Sequence, residues 1–251
     1  MTVNFKYSYI LDLVFHVFAH IKVDNASDLY DGSYEFDTDL TRYYNENFNR
    51  LAIIQFILTD AKTIDDAADI LLNKFNEYDK QFFILPFIEI LRREDKTYRA
   101  QWDRIKPDTT IETAIAEKFN EFAFDKDINI YLSHSLTRYG RGIYSPDKYQ
   151  AVVPFSYDTD HCFYMALHEI THQITDKLLN SDINMDDGSH DLSESVAIMA
   201  DYHWLNDKES YLRWISKIIG SDVILTADMF ENIFKIPKII NDKILRECIN
   251  K

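Results

Sequence analysis

Residues 160–179 have the sequence DHCFYMALHEITHQITDKLL, which carries the strongest structural signal in the chain. Apolar residues recur in it at steps of three and four, which predicts an α-helix with one apolar stripe. Asp158 or Thr159 is the expected cap of that helix. The stripe consists of Phe163, Leu167, Ile170, Ile174 and Leu178. The two histidines lie beside the stripe, so we expect them to face a cleft.

The HEITH motif contributes His168, Glu169 and His172 in the arrangement H-E-x-x-H. Residues four apart lie on the same face of a helix, so both imidazoles can bind one metal ion. Glu169 lies about 100° further round, close enough to move a proton on water at that metal. A five-residue motif can occur by chance, but its place on a strong helix after a predicted sheet favours a metal site.

A catalytic zinc usually has three protein ligands, so a third must come from elsewhere. Glu194 is the favoured candidate, because its segment is apolar almost all round and a buried carboxylate needs a partner. Two alternatives remain: Glu194 closes a capping box with Asp191, or His190 is the ligand instead. The extended metzincin pattern is absent, since Thr175 and Leu178 occupy its glycine and third-histidine positions.

Three strands are expected before this helix. Residues 127–133 alternate apolar and polar side chains, and residues 141–145 form a short candidate strand. Residues 149–155 form the third, and Pro154 in it suits an edge position because proline cannot donate to a ladder. A small sheet followed at once by the HEITH helix is the result.

The remaining segments are predicted to be helical, with few glycines and prolines to break them (5 of each). The predicted helices span residues 8–23, 38–59, 64–76, 78–93, 109–123 and the chain from about 191 onward. The expected fold class is therefore α+β, mainly α. We divide it into a helical N-terminal region, 1–125, and a catalytic region, 126–251, which could also form one continuous domain.

HEITH on one helix and Glu194 on the next resemble the gluzincin metallopeptidases, the thermolysin-like clan with a zincin fold, over roughly residues 126–205. The resemblance implies that His168, His172 and Glu194 bind one Zn²⁺ per chain. It implies that Glu169 is the general base, which activates water at the zinc and then protonates the leaving amine. The expected function is a zinc metallopeptidase that hydrolyses peptide bonds in a peptide or protein substrate.

The same resemblance implies that the strand with Val152 and Val153 is the sheet edge that pairs with an extended peptide. Thermolysin-like members carry an aspartate four residues after the ligand glutamate, where this chain has Ile198. Asp201, one turn further on, and Asp176, four residues after His172, are the substitutes that could orient the histidines.

An oxyanion donor is also expected, and gluzincins use tyrosine or histidine for it. Arg138 and Arg141 could bind a substrate carboxylate, although a mobile polar loop between strands is favoured for them. The sequence does not choose among the oxyanion candidates Tyr202, His203, His190, Tyr139 and Tyr144.

The chain carries 42 acidic against 27 basic side chains, a formal net charge of −15. A surface of that sign repels phosphate backbones, so no nucleic acid partner is expected. Cys162 and Cys248 are too few for a disulfide framework, and Cys162 is expected to be a small buried side chain.

The apolar N-terminus, residues 1–23, is interrupted by Lys6, Asp12, His16 and His20. It has no cleavage site and no apolar run of membrane-spanning length, so we expect a buried helix, no membrane segment and a cytoplasmic protein. His16 and His20 also lie four residues apart. Hydrogen-bonded core histidines are favoured over a second metal pair, because no acidic residue accompanies them as Glu169 does.

Two other functions are open at this stage. A zincin-like scaffold that binds metal or a partner without hydrolysis would have a fourth protein ligand, such as His190 or Asp187. A helical interaction protein with an accidental motif would keep His168, His172 and Glu194 apart. The substrate, endo- against exopeptidase action and the oligomeric state are not determined by the sequence.

Overall fold

The structure, a computed structural model, describes residues 1–18, 38–136, 139–180 and 189–247. It has the predicted fold class, α+β and mainly helical, with a four-stranded mixed sheet. Two compact units share the chain, and each is built from separate segments. The first consists of Met1–Phe5, Thr109–Ile130 and Gly140–Lys251, and the second of Lys6–Asp108 and Tyr131–Tyr139. The division at residues 125 and 126 into a helical and a catalytic region stays a prediction.

The strands are β1 (Val3–Lys6), β2 (Asp127–Ser133), β3 (Arg141–Gly142) and β4 (Lys148–Pro154). A π-helical turn, Lys80–Ile84, leads into the seventh helix. In chain order the described helices are α1 (Tyr9–Phe18), α2 (Thr38–Glu46), α3 (Phe48–Leu51), α4 (Ile54–Ile57), α5 (Ile64–Lys74), α6 (Glu77–Asp79), α7 (Leu85–Trp102), α8 (Thr109–Phe119), α9 (Thr159–Asn180), α10 (Ser189–Trp204), α11 (Lys208–Ile218), α12 (Ala227–Ile233) and α13 (Lys238–Arg246).

The order of the strands in the sheet, β1-β2-β4-β3, corrects one prediction. The strand with Val152 and Val153 is β4, which lies between β2 and β3, so it is not the edge. The short strand β3 is the edge, and it pairs antiparallel with β4 through Arg141 opposite Val152. Pro154 is the last residue of β4. A proline at a strand end signals an edge no more than a terminus, because both positions tolerate the missing donor.

The N-terminal strand β1 is a second correction, since the sequence predicts only helix there. Its four residues are too few for a period of two to stand out from the apolar run that follows. Next to it, the Ile128 amide donates to the Thr2 carbonyl at 2.9 Å, and the Thr2 amide donates to the Asp127 carboxylate at 2.6 Å. Pairing with β2 therefore outweighs the helical pattern.

Helices of the second unit break where the local chemistry demands it. The predicted helix 38–59 is divided into α2, α3 and α4, and the Asn47 side chain donates to the Tyr43 carbonyl at 2.9 Å where α2 ends. At the π-helical turn the Leu85 amide reaches back five residues to the Lys80 carbonyl. Pro86 follows at once and has no amide to continue the ordinary ladder.

Helix α1 is buried on nearly all sides, as predicted, and even Asp12 is buried. The carboxylate of Asp12 accepts hydrogen bonds from the hydroxyls of Tyr98 and Ser133. His16 stacks on the Tyr98 ring with centroids 4.4 Å apart. His20, its partner in the alternative metal pair, lies outside the described residues. Within the described part of the chain, no helix combines the length and apolar composition that crossing a membrane requires.

Helix α9 begins as predicted, with Asp158 accepting hydrogen bonds from the amides of Asp160 and His161. The first three residues of its predicted stripe are buried, but Ile174 and Leu178 are only half-buried. Thr171 and Thr175 are fully buried instead. Their hydroxyls make hydrogen bonds, so burying them costs little, and the helix turns this face toward α10.

Candidate metal centre

Helices α9 and α10 pack along each other and bring together the three side chains that the sequence selects as ligands. Nε2 of His168 lies 3.2 Å from one oxygen of Glu194, and Nε2 of His172 lies 3.3 Å from the other. The two Nε2 atoms are 3.2 Å apart. One ligand atom from each residue lies within 4.8 Å of the other two. The arrangement in which the three residues stay apart is therefore wrong.

The second nitrogen of each imidazole has its own partner. Nδ1 of His168 lies 3.1 Å from the Asp201 carboxylate. Nδ1 of His172 lies 3.1 Å from the Ser193 hydroxyl, which donates to Asp176 at 2.7 Å. Acceptors at both Nδ1 positions favour the tautomer with its proton there, which leaves the Nε2 lone pairs facing the shared carboxylate. Such a donor set suits a metal ion.

Both aspartates thus lie where the sequence suggested, although Asp176 acts mainly through Ser193. Its own carboxylate is 3.8 Å from Nδ1 of His172. Asp201 has no exposed surface and also accepts hydrogen bonds from Thr171 at 2.5 Å and from Tyr211 at 3.4 Å. These contacts hold the Asp201 carboxylate in one orientation against the imidazole. Ser193, the relay, is the part that the sequence analysis missed.

The charges in the cluster are strongly coupled. Burial by itself lowers the pKa of His168, but Asp201 and Glu194 outweigh it and raise that pKa well above its ordinary value. In the same way Asp176 and Glu194 raise the pKa of His172 to about 9. Burial raises the pKa of Glu194, but the two imidazoles outweigh it and hold that pKa well below its ordinary range. The cluster therefore demands positive charge, which protons or a metal ion can supply.

The alternative role for Glu194, a capping box with Asp191, is wrong. Helix α10 begins at Ser189, so Asp191 lies inside the first turn and is not its cap. The Glu194 carboxylate is turned to the histidines of α9. The side chain of His190 and all of Asp187, the rival ligands, lie outside the described residues.

Glu169 is half-buried on the side of α9 that meets the edge of the sheet. Burial raises its pKa above the ordinary value, although His168, His172 and Arg141 act in the opposite direction. A carboxylate with a raised pKa binds and releases a proton more readily near neutral pH. Its position next to a ligand histidine is the one that the motif predicts.

The Gly140–Gly142 segment lies against Glu169, a contact that the sequence analysis missed. Arg141 belongs to the edge strand β3 and is half-buried, which corrects the expectation of a mobile polar loop. Arg138 lies outside the described residues. Two glycines separated by one residue would have been the available signal, because such a pair leaves one face of a strand without side chains.

The candidates for the oxyanion donor are not equally placed. Tyr202 packs against Phe230 with ring centroids 4.5 Å apart. His203 lies 3.1 Å from Asn241 of α13, and nine residues place it half a turn round α10 from Glu194. Both side chains are engaged away from the ligands. Tyr139 and Tyr144 lie in the chain on either side of β3, and Tyr144 is 71% exposed.

Cys162 is fully buried, and its sulfur lies 3.3 Å from the Ser156 carbonyl. Burial raises the pKa of its thiol to about 11, so it stays protonated. It is the small buried side chain that the sequence predicts. Cys248 lies outside the described residues.

Comparisons with protein-family models, with curated proteins and with solved structures found no match to this chain. The resemblance to gluzincins therefore has its support in the site itself.

Proposed function

We propose that the protein is a cytoplasmic zinc metallopeptidase of the gluzincin type, with a zincin-like core around α9. One observation carries the proposal: His168, His172 and Glu194, selected on sequence spacing alone, come within 4.8 Å of one another. The accidental occurrence of a five-residue motif gives no reason for a distant glutamate to join it. Chance convergence with both Nδ1 atoms already engaged is harder still to explain.

Two histidines and a glutamate are the ligand set of catalytic zinc sites, which keep a further position for water or substrate. Bound there, zinc would polarise the scissile carbonyl and lower the pKa of a coordinated water to about 7. Asp201 and Ser193 would keep the two imidazoles in the ligating tautomer and orientation. The carboxylate of Glu194 would balance part of the metal charge.

Glu169 is the proposed general base. It accepts a proton from the attacking water and passes it to the leaving amine of the cleaved peptide. Its raised pKa suits both steps, because a weaker acid holds the proton between them. The half-buried setting also limits the access of bulk water to the carboxylate.

The edge strand β3 is the proposed place where an extended peptide docks. Only β4 pairs with it among the described residues, and β3 lies next to Glu169. A substrate strand added there would present its main chain close to the general base.

The first test is metal content. Protein purified without chelators should hold about one zinc per chain, and His168→Ala or Glu194→Ala should lose it. His161→Ala is the matched control, because His161 lies on the same helix but contacts the Trp214 indole at 3.3 Å. A wild-type protein that contains no zinc and binds none when zinc is added would refute the proposal.

The second test is hydrolysis of a peptide library. Glu169→Gln should keep its zinc and lose turnover, because the amide cannot accept the proton. Turnover that survives this change would remove Glu169 from the role of base. If the protein binds zinc with a fourth protein ligand and cleaves nothing, the non-catalytic scaffold is the correct function.

A further inference from the structure

The edge strand meets the side chain of Glu169 with bare backbone. A Cβ atom on Gly140 would lie 2.8 Å from Cγ and 2.9 Å from Oε1 of Glu169. On Gly142, a Cβ atom would lie 3.0 Å from the main-chain oxygen of Glu169 and 3.4 Å from its Oε2. Distances below 3.0 Å are shorter than carbon packing allows, so position 140 excludes a side chain while Glu169 stays where it is.

Backbone conformation does not account for these glycines. Gly220 has a φ of 70°, and no other described glycine has a positive φ. The backbone of Gly140 and Gly142 therefore needs no conformation that is reserved for glycine. What position 140 requires is the absence of Cβ, and the nearest atoms to that missing Cβ belong to Glu169.

The strand cannot relieve the contact by moving away. The missing Cβ of Gly140 would also lie 3.0 Å from the Val152 carbonyl oxygen in β4. The Ile143 amide donates to the Gln150 carbonyl at 2.9 Å, which holds β3 to β4. The Gln173 amide group donates to the same carbonyl at 2.8 Å, which holds β4 to α9. Strand and helix are thus tied at one point, and the side chain of Glu169 is the part that would have to move.

We propose that Gly140 is a positioning residue for Glu169. Without a side chain, it lets the edge strand close over the carboxylate and holds it where it accepts the proton. The role of that proton transfer rests on the proposed function, whereas the contact between the two residues does not. A displacement of about 1 Å at such a group can cost about a hundredfold in rate.

A double-mutant cycle tests the contact without reference to activity. Gly140→Ala should lower the denaturant midpoint of unfolding, and most of that loss should disappear in the Glu169→Ala background, which lacks Cγ and Oε1. If Gly140→Ala fails to fold, folding of the double variant supports the inference. An equal loss in both backgrounds, or a double variant that also fails to fold, overturns it.

Gly142→Ala is the matched control on the same face of the strand. Its Cβ would meet the main-chain oxygen of Glu169 at 3.0 Å, an atom that Glu169→Ala leaves in place. Its cost should therefore be the same in both backgrounds. Relief of Gly142→Ala to the same extent as Gly140→Ala would mean that the helix relaxes as a whole, and would overturn the specific role of Gly140.

Kinetics test the consequence for the reaction. Gly140→Ala should lower kcat by about a hundredfold while KM and zinc affinity stay at their wild-type values. Wild-type kcat in this variant overturns the inference. A wild type that hydrolyses no peptide, with the coupling to Glu169 still present, overturns the proposed function and supports the contact.

Discussion

Nδ1 of His168 lies 3.1 Å from a carboxylate oxygen of Asp201, seven residues beyond Glu194 on α10. Glu194 and Asp201 are two turns apart on the same side of their helix, so one helix supplies both the ligand and the group that orients another ligand. This arrangement couples zinc affinity to the distance between α9 and α10.

Replacing Asp201 with Asn should lower zinc affinity by about 10- to 100-fold, because the imidazole loses the charge that fixes its tautomer. Competition with a chromogenic chelator measures this. Asp191→Asn is the control, since it removes one negative charge from the exposed side of the same helix. Equal effects of the two changes would show that only the overall charge matters.

Thr171→Val should destabilise the protein by about 1–3 kcal/mol, because it leaves an oxygen of the buried Asp201 carboxylate without its 2.5 Å donor. Thr175→Val is isosteric and equally buried, but its hydroxyl donates only to the Thr171 carbonyl. It should cost less, and it should leave zinc affinity unchanged. Chemical denaturation of the two metal-free variants makes the comparison, and equal costs would contradict it.

Metal-free protein should lose stability between about pH 6.5 and 9, while zinc-loaded protein should not. The pKa of His172 is raised from 6.5 to about 9 in the folded state. Its protonated form therefore stabilises the fold below pH 6.5, and this contribution is lost as the pH rises through the folded value. Zinc holds the imidazole deprotonated throughout.

Thermal unfolding with and without zinc across this pH range measures the difference. The metal-free His172→Gln variant is the control, and its melting temperature should fall less over the same range. Parallel curves for metal-free and zinc-loaded wild type would mean that His172 does not titrate as described.

Gln173→Leu should destabilise the protein by about 1–3 kcal/mol, because Gln173 contacts both main-chain groups of Gln150 in β4. Lys177→Ala on the exposed side of α9 is the control and should have little effect. Denaturant midpoints compare the two. Zinc should remain bound in both variants, since neither side chain contacts a ligand nitrogen among the described hydrogen bonds.

Patterns that repeat within a few residues were sufficient for much of the fold. Strand β2 has its predicted bounds, and α9 and β4 agree with prediction to within a residue at each end. The period of each pattern comes from local backbone geometry, which the residues of one segment control together. Strand β1 was missed for the same reason, because four residues are too short to show a period.

Sequence spacing by itself determined that His168 and His172 share a face of one helix, since a four-residue step fixes that geometry wherever the helix lies. It also selected Glu194 as a carboxylate in need of a partner. Only the tertiary structure decided that β3 is the sheet edge, that Ser193 links His172 to Asp176, and that Gly140 lies against Glu169. Those three facts depend on which segments pack together, and packing between distant segments leaves no periodic signal in the chain.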